Sequence, residues 1–309
     1  MTKSLRTPSR PRPPGSAALL FVASLLPVAG GCALSAPPAE QTLRSTAAPL
    51  GAAAATLAAD PANDALPQDP AVRQARLDEL ARQALAAADA AVTDADAQLR
   101  AAAVLFQAAD LRMQRAALAW LDEHPDATLA EVLAVEDRIG DPARSEILSL
   151  CTSGLDRADR ALAAAPHSAA ARLYQALHLA WIAWANGPAR SLVAGYGTRL
   201  VTALDGVLAL EPTLDHCAPL RLQGRFRSKA PWPYGDQAAA DAALERATRE
   251  APLVVNHLFY GDALAAKGDL VGAVAEWRRA AGASADDSTR WSADLLRELA
   301  RRRLARAGG

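Results

Sequence analysis

Asp215-His216-Cys217 places an acid, a base and a thiol side by side, the residue types a thiol nucleophile needs. Side chains adjacent in sequence point apart, however, and no nucleophile elbow or phosphate-binding glycine loop occurs elsewhere in the chain. His124, His167, His178, His216 and His257 are scattered, without the i, i+4 pairing or Cys-x-x-Cys spacing that closes a metal site. Neither metal, cofactor nor catalysis is expected. What remains is contact chemistry. Trp181 and Trp184 continue a helical stripe from Tyr174 and Leu177, which serves either as core or as one wall of an apolar ligand groove. Arg221 and Arg225 share a helical face at i, i+4, where they either hold a carboxylate or acidic partner surface or pair with neighbouring acids.

A third cysteine carries a different chemistry. Residues 1–16 are basic and proline-rich, and Ala17 to Ala29 form an apolar run, which is the pattern of an export signal. Thirteen residues as a helix span about 20 Å, short of the roughly 30 Å hydrocarbon layer, so a permanent spanning helix is not expected. The run ends in Ala29-Gly30-Gly31-Cys32, which resembles the bacterial lipoprotein signal. That resemblance implies cleavage after residue 31, a lipid-bearing thioether on Cys32 and anchoring by several acyl chains. Alanine at position 33, with no aspartate after the cysteine, points by analogy with enteric bacteria to the outer membrane. Residues 32–70 then read as the lipidated cysteine and a disordered Ala/Pro-rich tether, leaving 71–309 as a single folded domain. In an oxidising compartment Cys151 and Cys217 either bridge or stand as small buried residues.

Composition bounds the rest. Hydrophobic residues make up 51% of the 309 but aromatics only 5%, and the apolar share is mostly alanine, so nearly all-α structure is expected. Without the leader, 29 basic residues face 34 acidic ones; such a mildly acidic chain has no global field for nucleic acid.

The elements that position these residues repeat. Gly235-Asp236, Ala240, Leu244 and Ala247 align on Gly268-Asp269, Ala273, Trp277 and Ala280 at a constant offset of 33. A period in the thirties built of small residues, with no strand signal, marks a solenoid of helix hairpins. Gly261, Gly268, Ala273, Trp277 and Ala280 match the tetratricopeptide pattern, with Ala285 where its closing proline would stand. Gly261 and Ala273 are small so that two backbones approach closely, and Trp277 is expected to fill the space between this helix pair and its neighbour. The clearest repeats are 218–252 and 253–285. Weaker copies closed by Pro166 and Pro212 make the array degenerate, with insertions. Further helices are expected over 71–92, 94–122 and 142–165, and a solvated capping helix over 288–307 whose Arg301, Arg302, Arg303 and Arg306 suit the negative end of its dipole.

The turn Ala230-Pro231-Trp232-Pro233-Tyr234-Gly235-Asp236 is more specific than repeat chemistry. Its prolines fix φ and favour an extended path, which leaves Trp232 and Tyr234 either as rigid contact anchors or as plugs between helices. Pro-Trp-Pro followed by Gly-Asp before a repeat resembles the T-component family of TRAP transporters, periplasmic lipoproteins of tetratricopeptide-like helices. The resemblance implies an accessory protein on the periplasmic side of the envelope. It would partner a periplasmic substrate-binding protein, with hydrophobic organic acids as a candidate cargo. A general envelope scaffold, gripping other proteins and holding no small ligand, is the alternative. Self-association stays open in both.

Overall fold

The computed structural model describes residues 66–231, 233–285 and 289–308. The leader 1–31, Cys32, nearly all of the tether 32–70, and Trp232 lie outside the described residues. The described chain is all-α. Its helices are α1 (Pro70–Ala90), α2 (Ala95–Glu123), α3 (Leu129–Leu133), α4 (Asp141–Ala164), α5 (Ala169–Val193), α6 (Tyr196–Leu210), α7 (Leu214–Lys229), α8 (Gln237–Glu250), α9 (Val254–Ala266), α10 (Leu270–Gly282) and α11 (Ala293–Ala307). A 3-10 turn at Val135–Arg138 follows α3, and there is no strand among the described residues.

Local chemistry starts and stops these helices. Asp69, Asp94, Ser168, Asp236 and Asp269 each accept a backbone N–H of the first turn they precede. Thr128 and Glu131 form a reciprocal capping box on α3. Pro166, Pro212 and Pro252 each stand two residues beyond a helix, α4, α6 and α8 respectively, because proline cannot extend it. Gly268, at φ +91°, reverses the chain between α9 and α10.

Consecutive helices pack as antiparallel hairpins, and the pairs of touching residues fix their direction. Asp159 meets Gln175 and Gly154 meets His178 across α4 and α5. Gly224 meets Ala240 and Leu244 across α7 and α8, and Gly261 meets Ala273 and Trp277 across α9 and α10. The last two contacts are one device used twice. A Cβ on Gly224 would lie 2.3 Å from Leu244 Cγ, and one on Gly261 would lie 2.6 Å from the Trp277 ring. Each glycine therefore lets a large side chain of the second helix lie against the backbone of the first. Ala273, Trp277 and Ala280 are fully buried, as are Ala240, Leu244 and Ala247 at the corresponding places in α8.

Because the hairpins alternate, the residues joining α2 to α4, α5 to α6, α7 to α8 and α9 to α10 share one edge of the array. The other connections lie on the opposite edge. Tyr234 of the α7–α8 turn bonds Thr198 near the α5–α6 turn, and Lys229 bonds Glu136 of the α2–α4 connection, so neighbouring turns on this edge touch.

The ends of the array also meet. Arg73 on α1 bonds both carboxylate oxygens of Asp294 on α11, at 2.5 and 2.6 Å, and the carbonyl of Trp291. Ser292 Oγ donates to Asp110 on α2, and Arg302 to Asp122 at the end of α2. Trp291 and Leu295 enter one cluster with Leu77, Val104 and Leu111. This corrects the expectation of a solvated capping helix over 288–307. The helix starts at Ala293 and is packed between the first and last repeats, and Arg303, only 2% exposed, pairs with a buried carboxylate. Specific carboxylates, Asp122 and Glu298 for Arg302 and the buried Asp262 for Arg303, and not the helix dipole alone, account for these two arginines.

Candidate functional site

Of the predicted contact residues, Trp181, Trp184, Arg225 and Tyr234 lie toward the edge that carries the α5–α6 and α7–α8 turns, whereas Arg221 lies nearer the start of α7. Trp181 and Trp184 lie near the end of the regular part of α5, which Gly187 breaks at φ +75° ahead of Pro188. Their rings pack edge to face, 5.5 Å apart at 82°, and both rest half-buried on the main core cluster. The guanidinium of Arg144, from the first turn of α4, covers Trp184 at 4.6 Å. Trp184 Nε1 is withdrawn from water and finds no acceptor among the described residues. The stripe that leads to them is divided: Tyr174 is buried against Phe106, while Leu177, Trp181 and Trp184 are each partly exposed.

Arg221 and Arg225 are placed differently from the surface pair the sequence suggests. Arg221 is buried and donates to Asn256 Oδ1 at 3.0 Å. Asn256 in turn donates to the carbonyls of Ala251 and Ala247, which ties α9 to the end of α8. Arg225 donates to Asp262 at 3.2 Å and to Glu136 at 2.8 Å, with its guanidinium over the Phe259 ring. Both arginines are thus occupied inside the protein. Burial alone would raise the Glu136 pKa, but Arg225 and Lys229 overcome it and hold this carboxyl far below the ordinary range. Burial likewise works against the Arg225 charge, and Glu136 and Asp262 more than restore it, raising its pKa. The network joins the 3-10 turn to α7, α9, α10 and α11, since Asp262 also accepts from Trp277 Nε1 and from Arg303.

The described residues of the α7–α8 turn are tied together by backbone hydrogen bonds. The amides of Tyr234 and Gly235 both donate to the Pro231 carbonyl, and Asp236 N donates to Arg227 O. Gly235 is required for a reason unlike that at Gly268: its φ is ordinary, but a Cβ there would strike the Ala230 carbonyl oxygen at 2.3 Å. Tyr234 leans on Phe226, its ring would meet any Cβ on Gly197, and its hydroxyl lies 3.0 Å from Thr198 Oγ1. Tyr234 therefore works as a clasp between α6 and the turn. Trp232 lies outside the described residues.

Asp215, His216 and Cys217 stand at φ 47°, 53° and 67°, three successive left-handed residues that are not glycine. They bend the chain into α7 and carry the Cys217 thiol inward, 3.8 Å from Glu250 Oε2. Burial, then the Glu250 carboxylate, raises the Cys217 pKa and keeps the thiol protonated, the opposite of what a nucleophile needs. Cys151 is buried too, its pKa pushed up by desolvation, and both cysteines are free thiols.

Arg144, Glu136 and Asp262 were not singled out from the sequence, and Arg303 only as a solvated residue of the last helix. A signal existed for Asp262, since a carboxylate within the apolar run Leu258–Leu264 demands a buried partner. Nothing local identifies Glu136 or Arg144, whose partners lie far off in sequence.

Among the described residues, no group of three or more His, Cys, Asp or Glu could hold a metal ion, and no helix is long and apolar enough to cross a membrane. Neither a scan against protein-family models nor a search of the curated proteins returns a match to this chain.

Proposed function

We propose that this chain is an exported, lipid-anchored helical-repeat binding protein, the accessory component beside a periplasmic substrate-binding protein of a TRAP-type transport system. The observation that carries this reading is the half-exposed Trp181–Trp184 pair under Arg144, with an indole N–H that finds no acceptor among the described residues. A site with aromatic walls and one desolvated donor suits an apolar molecule with a polar end. The Pro-Trp-Pro-Tyr-Gly-Asp turn supplies the resemblance, and Ala29-Gly30-Gly31-Cys32 the anchor, on the periplasmic side of the envelope.

Capture of the lipidated protein from cross-linked cell envelopes is the test. Recovery of a solute-binding protein, reduced in Trp184→Ala, supports the reading. Recovery of envelope-assembly proteins alone, with Trp184→Ala indifferent, replaces it with the scaffold reading. One observation favours that second reading: Arg221 and Arg225 are spent on Asn256, Glu136 and Asp262, so they do not offer a carboxylate clamp.

A further inference from the structure

The turn between α1 and α2, Ala91-Val92-Thr93-Asp94, differs from the other short turns of the array. Those turns hold Pro166, Gly195, Pro212, Pro252 or Gly268, and both glycines stand at positive φ, so a helix does not readily run through them. The α1–α2 turn holds neither glycine nor proline, and none of its residues has a positive φ. Nor does the helical pattern break there. The α1 residues that face α2, Leu77, Ala81, Ala84 and Ala88, are spaced by three and four, and Ala91 and Ala95 carry the same spacing on to Gln98 of α2.

The contacts between the two helices are centred on this turn. Gln98 donates to the Ala88 carbonyl and Gln74 to that of Ala108, while Leu77 lies with Leu105 and Ala108 in one cluster. Each residue of α1 therefore faces one about as far beyond Val92 as it falls short of it. Two identical helices laid antiparallel about a two-fold axis near Val92 have this same register.

We infer that α1 is a helix exchanged between two copies of this chain. In the exchanged form residues 91–94 become helical, α1 and α2 join into one helix about 80 Å long, and each α1 fills the seat beside the other copy's α2 and α11. The contacts of α1 away from the turn are kept, Arg73–Asp294 and Asp78–Arg112 included, but they now join two chains. Only the turn changes. It gives up the Asp94 cap on Asp96 and Ala97, and it gains cover for Val92, 51% exposed in the single chain, which comes to lie near the axis beside its counterpart. The seat also has a reason to open. Arg73 Nε, Gln74 Oε1 and Trp291 Nε1, all buried where α1 meets α2 and α11, find no hydrogen-bond partner among the described residues. Water reaches them when α1 lifts, which offsets part of the cost of exposing the apolar seat. Neither the anchor nor the cargo enters into this exchange.

The test uses the full chain in detergent and two substitutions, Arg73→Glu and Asp294→Arg, each of which sets like charges against one another in the chain's own seat. In an exchanged dimer of one chain of each kind, one seat holds the native pair and the other the reversed pair, so both seats are relieved. The two chains refolded together are expected to form mixed dimers at least about tenfold more readily than either forms dimers alone, read by light scattering with tags of different mass. In the otherwise unaltered chain, Thr93→Ala with Asp94→Ala raises the dimer share and Thr93→Gly lowers it, because they ease and hinder a helix through the turn. A chain that stays monomeric after refolding at its highest soluble concentration, with and without the two alanines, overturns the exchange. So does a dimer indifferent to residue 93, or a mixture that pairs no better than its members. Where neither single variant folds alone, co-production of the two chains decides. Mixed dimers support the exchange; loss of both chains, while Arg73→Glu/Asp294→Arg in one chain folds, overturns it.

Discussion

Asp262 on α9 and Arg303 on α11 share two hydrogen bonds, 2.6 and 3.0 Å long, with both side chains almost wholly removed from water. Asp262 also takes Trp277 Nε1 at 3.1 Å, so one carboxylate fixes a repeat's signature tryptophan and the helix that closes the array. Removing one member of such a pair strands a buried charge. Arg303→Ala is expected to cost about 3 kcal/mol in urea unfolding. Arg301→Ala, which breaks a half-exposed pair with Glu298 on the same helix, should change stability by less than about 0.5 kcal/mol. Equal effects would show that the pair does not hold the helix.

Glu136 holds the connection between α2 and α4 onto α7 through Arg225 and Lys229. Glu136→Gln keeps the shape and removes the charge. Amide exchange across 129–139 should speed up by about tenfold or more, corresponding to a local loss of about 1.4 kcal/mol, while exchange in α9 changes little. Unaltered exchange at 129–139 would place the hold elsewhere.

His178, fully buried, has its pKa lowered to about 4 by desolvation, which its bond to the Ala102 carbonyl only partly opposes. The unfolded chain binds this proton more readily. Stability is therefore full above pH 6.5 and falls as pH drops toward 4, at up to about 1.4 kcal/mol per pH unit and by about 3 kcal/mol in all. His178→Gln should flatten that part of the pH–stability curve. A wild-type curve already flat between pH 4 and 6.5 would contradict the assignment.

Gly224→Ala and Gly261→Ala each force a methyl into Leu244 or Trp277 and should cost about 1–3 kcal/mol. Gly282→Ala, with nothing within 4 Å of its added carbon, should be neutral or slightly stabilising. Melting temperatures of the three variants make the comparison.

His216 is exposed and left-handed, so its side chain adds strain and little packing. His216→Gly is expected to raise stability by up to about 1 kcal/mol. A loss would mean that the imidazole makes a contact worth more than the strain.

Much of the fold could be read from residues whose reasons are local. Asp269, Gly268 and the 33-residue offset identify the last hairpin because a cap, a turn and a close approach each need a particular side chain or none at all. Helices expected over 71–92, 94–122 and 142–165 occur at Pro70–Ala90, Ala95–Glu123 and Asp141–Ala164. Gly224, the partner of Gly261 in the preceding repeat, escaped the offset because the longer α7–α8 turn puts it 37 residues away instead of 33. The arginines were misjudged for another reason. Whether Arg221, Arg225 or Arg303 meets solvent depends on Asn256, Glu136 and Asp262, and spacing along one helix carries no record of what packs across from it. The half-exposed Trp181–Trp184 pair lay between: its stripe was plain, but the length of that stripe left in contact with water was set by α2 and α4.

Arg73 and Asp294 are 221 residues apart in sequence and joined in space. A chain of stacked hairpins can ordinarily gain or lose a unit at either end with little penalty, each unit answering only to its neighbour. Here the first and last of the described helices, α1 and α11, are each other's neighbours. A duplicated or deleted hairpin would shift one out of reach of the other, so the Arg73–Asp294 pair fits one number of units only, and α11 must be synthesised before α1 can be secured.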